Sequence, residues 1–312
     1  MKPRVYISKC ITFAAVRYNG QVVPSEFVDK LKPFIEPVTH CPEAEIGLGT
    51  PRDTLRIIAL DKEMKDLRLV QPATGLDFTE QMKKYTDKTL SALGEIDGFI
   101  LKSKSPSSGA RDVKIYPKNP KGAPLTKRGA GFFGGEVLRR FPETVVEDDG
   151  RLNDEVLKDN FLKCIFLSAA FRGVRLSGKI SSMVKFQEKN KLLLMSYNQE
   201  VMRKLGRITA GAKNNGFEKA CNEYGALLGK IMSNPYKKSN LINSYEHAFG
   251  YFKEGLSAPE KVHFLSCLKK YASGKTGPAA VITLLKSYII RFDEKYLSGQ
   301  SLFEPYPEEL LL

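Results

Sequence analysis

The hydrophobic period changes once along this 312-residue chain, and that change constrains the fold more than any single motif. In the first half, short β-rich runs alternate with stretches of helical spacing. From about Gly178 onward the apolar residues recur at three and four positions, and no strand signal follows. The alternating half predicts an α/β domain, Rossmann-like, with a mostly parallel sheet covered by helices. The uniform half predicts an all-α helical domain. The chain is therefore expected to divide into residues 1–170 and 171–312, with the joint in 171–178, where Gly173 and Gly178 interrupt the pattern.

Strands are expected at 4–8, 36–40, 55–60, 67–70, 98–102 and 144–147, and helices at 25–34, 77–94 and 135–140. Asp77, with Glu80 three residues on, has the form of a capping box. In the second half six helices are expected, over 179–195, 197–213, 216–233, 239–254, 257–273 and 278–297. Turn residues such as Asn214-Asn215-Gly216 and Asn234-Pro235 mark the breaks.

Charge narrows the function classes. The chain carries 49 Lys and Arg against 35 Asp and Glu, a net +14. Residues 1–160 hold 26 basic and 23 acidic side chains, whereas 161–312 hold 23 and 12, a net +11. A polyanionic partner is the first expectation, with the second half as its binding surface. Arg203, Lys204, Arg207 and Lys213 fall on one expected helix and are the candidate phosphate-binding stripe; a plain solvated face is the alternative. No apolar run approaches the ~20 residues that span a bilayer, and residues 1–11 read as a strand rather than a signal peptide. A cytoplasmic protein is expected. Five scattered cysteines argue against a disulfide framework, and three histidines with no CxxC argue against structural zinc.

Three junctions after expected strands concentrate chemistry. They are Ser8-Lys9-Cys10, the run 41–52 that begins Cys41-Pro42-Glu43, and the run 102–109 that includes Ser103, Ser105, Ser107 and Ser108. Ligands of open α/β sheets bind at the carboxyl ends of strands, so these runs converge if the sheet forms as expected. Read blandly, the cysteines are small buried hydrophobes and the serine runs are turns. Gly129 to Gly135 contains GxGxxG without a clear preceding strand, which disfavours a dinucleotide site. A phosphate at the following helix N-terminus, helped by Lys127 and Arg128, remains open.

The same runs resemble a known family. VRYNG (16–20), CPEAEIGLGTPRDTLR (41–56), QPATGLDFTEQM (71–82), IDGFILKSKSPSSG (96–109) and DVKIY (112–116) are similar to the thiouracil desulfidase (TudS) family, over about residues 3–165. VKFQ (184–187) and KLLLM (191–195) resemble the YbgA-type helical domain, and the fusion is similar to tRNA 4-thiouridine desulfidases. The resemblance implies a 4Fe-4S cluster held by three cysteines, with one iron open to substrate sulfur. Carried over residue by residue, two ligands fall on Cys10 and Cys41, and the third cysteine position is Ser108 here. The catalytic glutamate falls on Glu43, as proton acceptor, and the catalytic serine on Ser105, which orients water or the ring. The implied reaction is hydrolytic, non-redox conversion of 4-thiouridine to uridine in tRNA, with no membrane or obligate protein partner. Two alternatives stand beside it: a cluster-less RNA-binding protein with a degenerate desulfidase domain, and a desulfidase of free thiouracil.

Overall fold

The strands of the computed structural model are β1 (Arg4–Ser8), β2 (Glu36–His40), β3 (Arg56–Ala59), β4 (Leu67–Gln71), β5 (Leu76–Asp77), β6 (Gly98–Leu101), β7 (Val113–Pro117), β8 (Thr126–Gly129) and β9 (Val145–Asp148). Between them lie helices α1 (Glu26–Leu31), α2 (Pro42–Glu45), α3 (Thr79–Ala92) and α4 (Phe132–Arg140). The second half is α5 (Glu155–Ser177), α6 (Ile180–Tyr197), α7 (Gln199–Asn215), α8 (Phe217–Met232), α9 (Lys238–Gly250), α10 (Ala258–Ala272), α11 (Pro278–Arg291) and α12 (Lys295–Ser298). The structure describes residues 1–119 and 122–311, and chain contacts separate residues 2–165 from 166–311.

The first unit is α/β, as the alternating pattern requires, but its strands form two sheets. One is a fully parallel sheet in the order β2-β1-β6-β9. Its central strands are buried along almost their whole length, so they read as apolar runs rather than alternations. The other has the order β5-β4-β3-β7-β8 and is antiparallel except where β3 meets β7. Strands β5 and β8 carry little apolar alternation and pair locally with β4 and β7, whereas β7, with Val113 and Ile115 buried and Lys114 exposed, joins β3 by a long-range pairing. Tyr6 of β1 stacks on Phe133 of α4 at 5.2 Å and lies 5.6 Å from Phe99 of β6. That aromatic cluster fixes α4 against the parallel sheet.

Two local expectations are corrected. Helix α5 runs unbroken through Gly173, because one interior glycine costs only about 1 kcal/mol against the packing of a long apolar helix. The break comes at Gly178, whose φ of 62° is the left-handed conformation that ends helices. Asp77 does not cap α3 through a capping box. It lies in β5, and its carboxylate accepts from the Thr79 amide at 2.8 Å.

The second unit is helical throughout, and four of its six expected helices agree with the observed ones to within two residues, while the one expected over 239–254 ends at Gly250. The sixth ends at Arg291, and α12 follows as a separate turn. Phe171 of α5 packs on Phe186 of α6 at 5.3 Å and on Tyr224 of α8 at 5.0 Å. Among the described residues no helix is long and apolar enough to cross a membrane.

Candidate functional site

The parallel sheet places the three chemical runs together. Strand β2 lies on one side of β1 and β6 on the other, so the chain reverses its direction of addition between β1 and β6. Loops leaving the carboxyl ends there diverge and open a crevice. Cys10 follows β1 by two residues, Cys41 directly follows β2, and the serine run follows β6. Cys10, Cys41, Glu43, Ser105 and Ser108 all line one cavity of about 280 Å³.

The serine run is held by α4. The amides of Phe132 and Phe133 donate to the carbonyls of Pro106 and Ser107 at 3.2 and 2.9 Å, and Gly134 also donates to Ser107 at 3.1 Å. A Cβ added at Gly131 would sit 2.3 Å from the Ser107 carbonyl oxygen, and one at Gly134 would sit 2.3 Å from that of Gly109. The glycine-rich run is therefore the seat of the serine loop. A strand, β8, does precede it, but the first amides of α4 are already taken, so the phosphate reading of this helix end is overturned. Lys127 and Arg128 lie within β8.

Glu43 sits in the single turn α2, and its two oxygens have different partners. Oε2 accepts from Arg52 Nη2 at 2.8 Å and Nε at 3.0 Å. Oε1 accepts from Ser107 Oγ at 2.8 Å, whereas Ser105 Oγ is 3.4 Å away. Each hydroxyl has one proton to give, which orders the chain. The Ser108 amide donates to Ser105 Oγ at 3.1 Å, Ser105 donates to Ser107 Oγ at 2.9 Å, and Ser107 donates to Glu43. Arg52 also holds the Val16 carbonyl at 3.1 Å, joining the 16–18 loop to the carboxylate. Its side chain is 5% exposed and that of Glu43 12%, so the pair is largely withdrawn from water.

Sequence reasoning missed Ser107 and Arg52. Arg52 had a signal, since it is the one basic residue in the acidic run 41–55. Ser107 had none, because nothing in Ser-Pro-Ser-Ser says which hydroxyl meets the carboxylate. Lys102 was likewise missed. It pairs with Asp149 at 2.7 Å on the cavity wall.

Burial raises both thiols above the ordinary range. Burial pushes Cys10 up to about 12, with the neighbouring Cys41 adding and the Lys102 charge subtracting. Burial also raises Cys41, against the lowering effect of the Ala44 amide. The third position that the resemblance assigns to a cluster ligand, Ser108, lines the cavity with a hydroxyl. Cluster irons are held by thiolates, and a hydroxyl is both harder and far less acidic. Among the described residues no group of three His, Cys, Asp or Glu side chains can hold a metal ion. Two cysteines and a serine supply one thiolate too few for a cluster held by three.

In the second unit the four candidate cations do not form one stripe. At about 100° per residue, Arg203 and Arg207 share a face of α7, while Lys204 and Lys213 point to its two sides. Arg203 and Arg207 line a groove of about 870 Å³, whereas Lys204 pairs with Glu200 at 2.8 Å. Lys213 lies exposed in the last turn, outside the groove.

Comparison with known proteins matches two stretches. Residues 5–149 match the family model of 2-thiouracil desulfurase, and residues 191–307 match that of a protein of unknown function, DUF1722. The uncharacterized protein YbgA of Escherichia coli (strain K12) is 24% identical over 132 residues, which is 42% of this chain and 78% of YbgA. A solved structure described as the 4Fe-4S-dependent thiouracil desulfidase TudS is 27% identical. It covers 49% of this chain and 94% of its own, with a TM-score of 0.38. The chain thus joins a region that matches the 2-thiouracil desulfurase family model to a region that matches DUF1722 and is similar to YbgA.

Proposed function

We propose that the first unit acts on a thiolated uridine of tRNA and exchanges its ring sulfur for oxygen by hydrolysis. The observation that carries this reading is the meeting of two buried thiols with Glu43 and its serine chain around one cavity. Water supplies the oxygen, a carbon–oxygen double bond replaces the carbon–sulfur one, and sulfur departs as hydrosulfide. No electrons are gained or lost. Glu43 is the group that accepts the proton of water, and Ser107 and Arg52 hold its two oxygens in place. Ser105 lines the cavity and lends its proton to Ser107, which leaves its own oxygen aimed by the Ser108 amide.

A cavity of about 280 Å³ suits a single ring. A nucleotide within RNA must leave its stack to enter, at a cost of a few kcal/mol. Backbone phosphate contacts with the basic second half, net +11 over 161–312, offset that cost without reading sequence. Ser108 favours a second reading for this particular chain: recognition of the thiolated ring with little turnover.

The test is anaerobic incubation of the chain and of its Ser108→Cys variant with iron and sulfide. Bound iron is then measured, together with sulfide release from thiolated tRNA and from free thiouracil. The cysteine variant is expected to bind more iron and to release sulfide faster from tRNA than from the free base. Release from the free base alone removes tRNA from the reading. An iron-loaded variant that releases no sulfide from either substrate removes hydrolysis.

A further inference from the structure

The groove of the second unit has the chemistry of a nucleotide site. Its volume of about 870 Å³ falls within the range of ligand pockets, roughly 300–1,000 Å³. On α7, Arg203 and Arg207 stand one turn apart, and Gly206 and Ala210 share their face. Gly206 and Ala210 add little side-chain bulk to that face. Lys191 of α6 and His247 of α9 also line the groove. Glu200 is the one carboxylate among the described lining residues, and Lys204 pairs with it. The net field in the groove is therefore positive.

The groove is also lined by two aromatic rings. Tyr251, at the end of α9, stacks on Tyr296 of α12 with ring centroids 5.5 Å apart and planes 19° from parallel. Tyr251 remains 52% exposed, so the stack keeps open ring surface. The buried side chains of Met195 and Met202 also line the groove. Apolar side chains, exposed aromatic surface and cations around one groove suit a flat ring that carries a phosphate. Simple anions gain nothing from the tyrosines.

We propose that this groove binds a nucleotide of a single-stranded RNA segment, its base stacked on Tyr251 and its phosphates on Arg203 and Arg207. The inference deepens the reading that the chain works on RNA and rests on it. It assigns to the second unit a base-stacking contact in addition to general phosphate attraction. Stacking on an aromatic side chain is tolerant of base identity, so the groove reads strandedness rather than sequence.

The experiment uses the full chain and a labelled short oligouridylate, with fluorescence anisotropy as readout and inorganic polyphosphate and uridine monophosphate as competitors. Tyr251→Ala is expected to weaken oligonucleotide binding roughly ten- to a hundredfold and to leave polyphosphate binding unchanged. Tyr251→Phe keeps the ring and should bind as the parent does. Arg203→Ala and Arg207→Ala should each weaken binding and lower the salt dependence by about one counterion. Circular dichroism confirms that each variant folds. If Tyr251→Ala binds the oligonucleotide as tightly as the parent, the groove is only a charged surface and the proposal fails. If uridine monophosphate competes as well as the oligonucleotide, the ligand is a free nucleotide and the RNA assignment fails. If tRNA binds but none of the groove variants weakens it, the groove is refuted while the RNA reading stands. If the parent binds no RNA, that reading falls as well.

Discussion

At the scale of single residues, the carboxylate at the centre of the first unit depends more on Ser107 than on Ser105. Ser107 gives its proton to Glu43 at 2.8 Å, and Ser105 stands one hydrogen bond further back. Both Oγ atoms belong to the same turn, yet only one closes the buried carboxylate. Replacing Ser107 by alanine removes a charge-assisted hydrogen bond from a withdrawn group, which costs about 1.5–3 kcal/mol. Replacing Ser105 removes neutral bonds worth about 0.5–1.5 kcal/mol each. The expected order in urea unfolding is therefore Ser107→Ala below Ser105→Ala below the parent. Equal midpoints for the two variants would show that the proton order along the chain is wrong. This distinction was invisible in the sequence, where the resemblance pointed to Ser105 and the spacing favoured neither.

At the scale of elements, the glycine run before and within α4 is what shapes the cavity edge. Gly131 and Gly134 let the helix approach the serine loop so closely that backbone amides meet backbone carbonyls directly. A Cβ at Gly134 would press on the carbonyls of both Ser108 and Gly109, at 2.5 and 2.3 Å. Gly134→Ala is expected to destabilise the protein by about 1–3 kcal/mol, the range for overpacking a close contact. It should also displace Ser105 to Ser108 from the cavity. The check is thermal unfolding together with iron uptake in a Ser108→Cys background, and a variant that matches its parent in both would show that the contact is not tight. As sequence, Gly-Ala-Gly-Phe-Phe-Gly-Gly has the pattern of a phosphate loop. Only the occupancy of its amides decides against that.

At the scale of the whole molecule, the helical half depends on the end of α5. Phe171 fills the space between Phe186 and Tyr224, and a chain beginning at Gly178 lacks it. Loss of a buried phenylalanine from a core costs about 3–5 kcal/mol. A piece spanning 166–311 is expected to unfold cooperatively and to bind tRNA with an affinity that falls as salt rises. A piece spanning 178–311 should melt well below it or fail to fold. Equal melting of the two pieces would remove Phe171 from the core, and salt-independent binding would remove the electrostatic account of the +11 charge.

What the amino-acid order determined alone is whatever depends on near neighbours. The change of hydrophobic period set the two halves, and the Val, Ile and Leu runs set β1, β3, β4 and β6. Motif order pointed to Cys10, Cys41 and Glu43 before any contact was known. The tertiary structure decided what depends on distant parts of the chain. It split the strands into two sheets through pairings such as β3 with β7, carried α5 through Gly173, and brought Arg52 to Glu43 and Tyr296 to Tyr251. Those outcomes rest on which surfaces meet after the chain has folded back on itself. A residue's local pattern carries the tendency to form a strand or helix, but it carries no record of the surface that its side chain will finally touch.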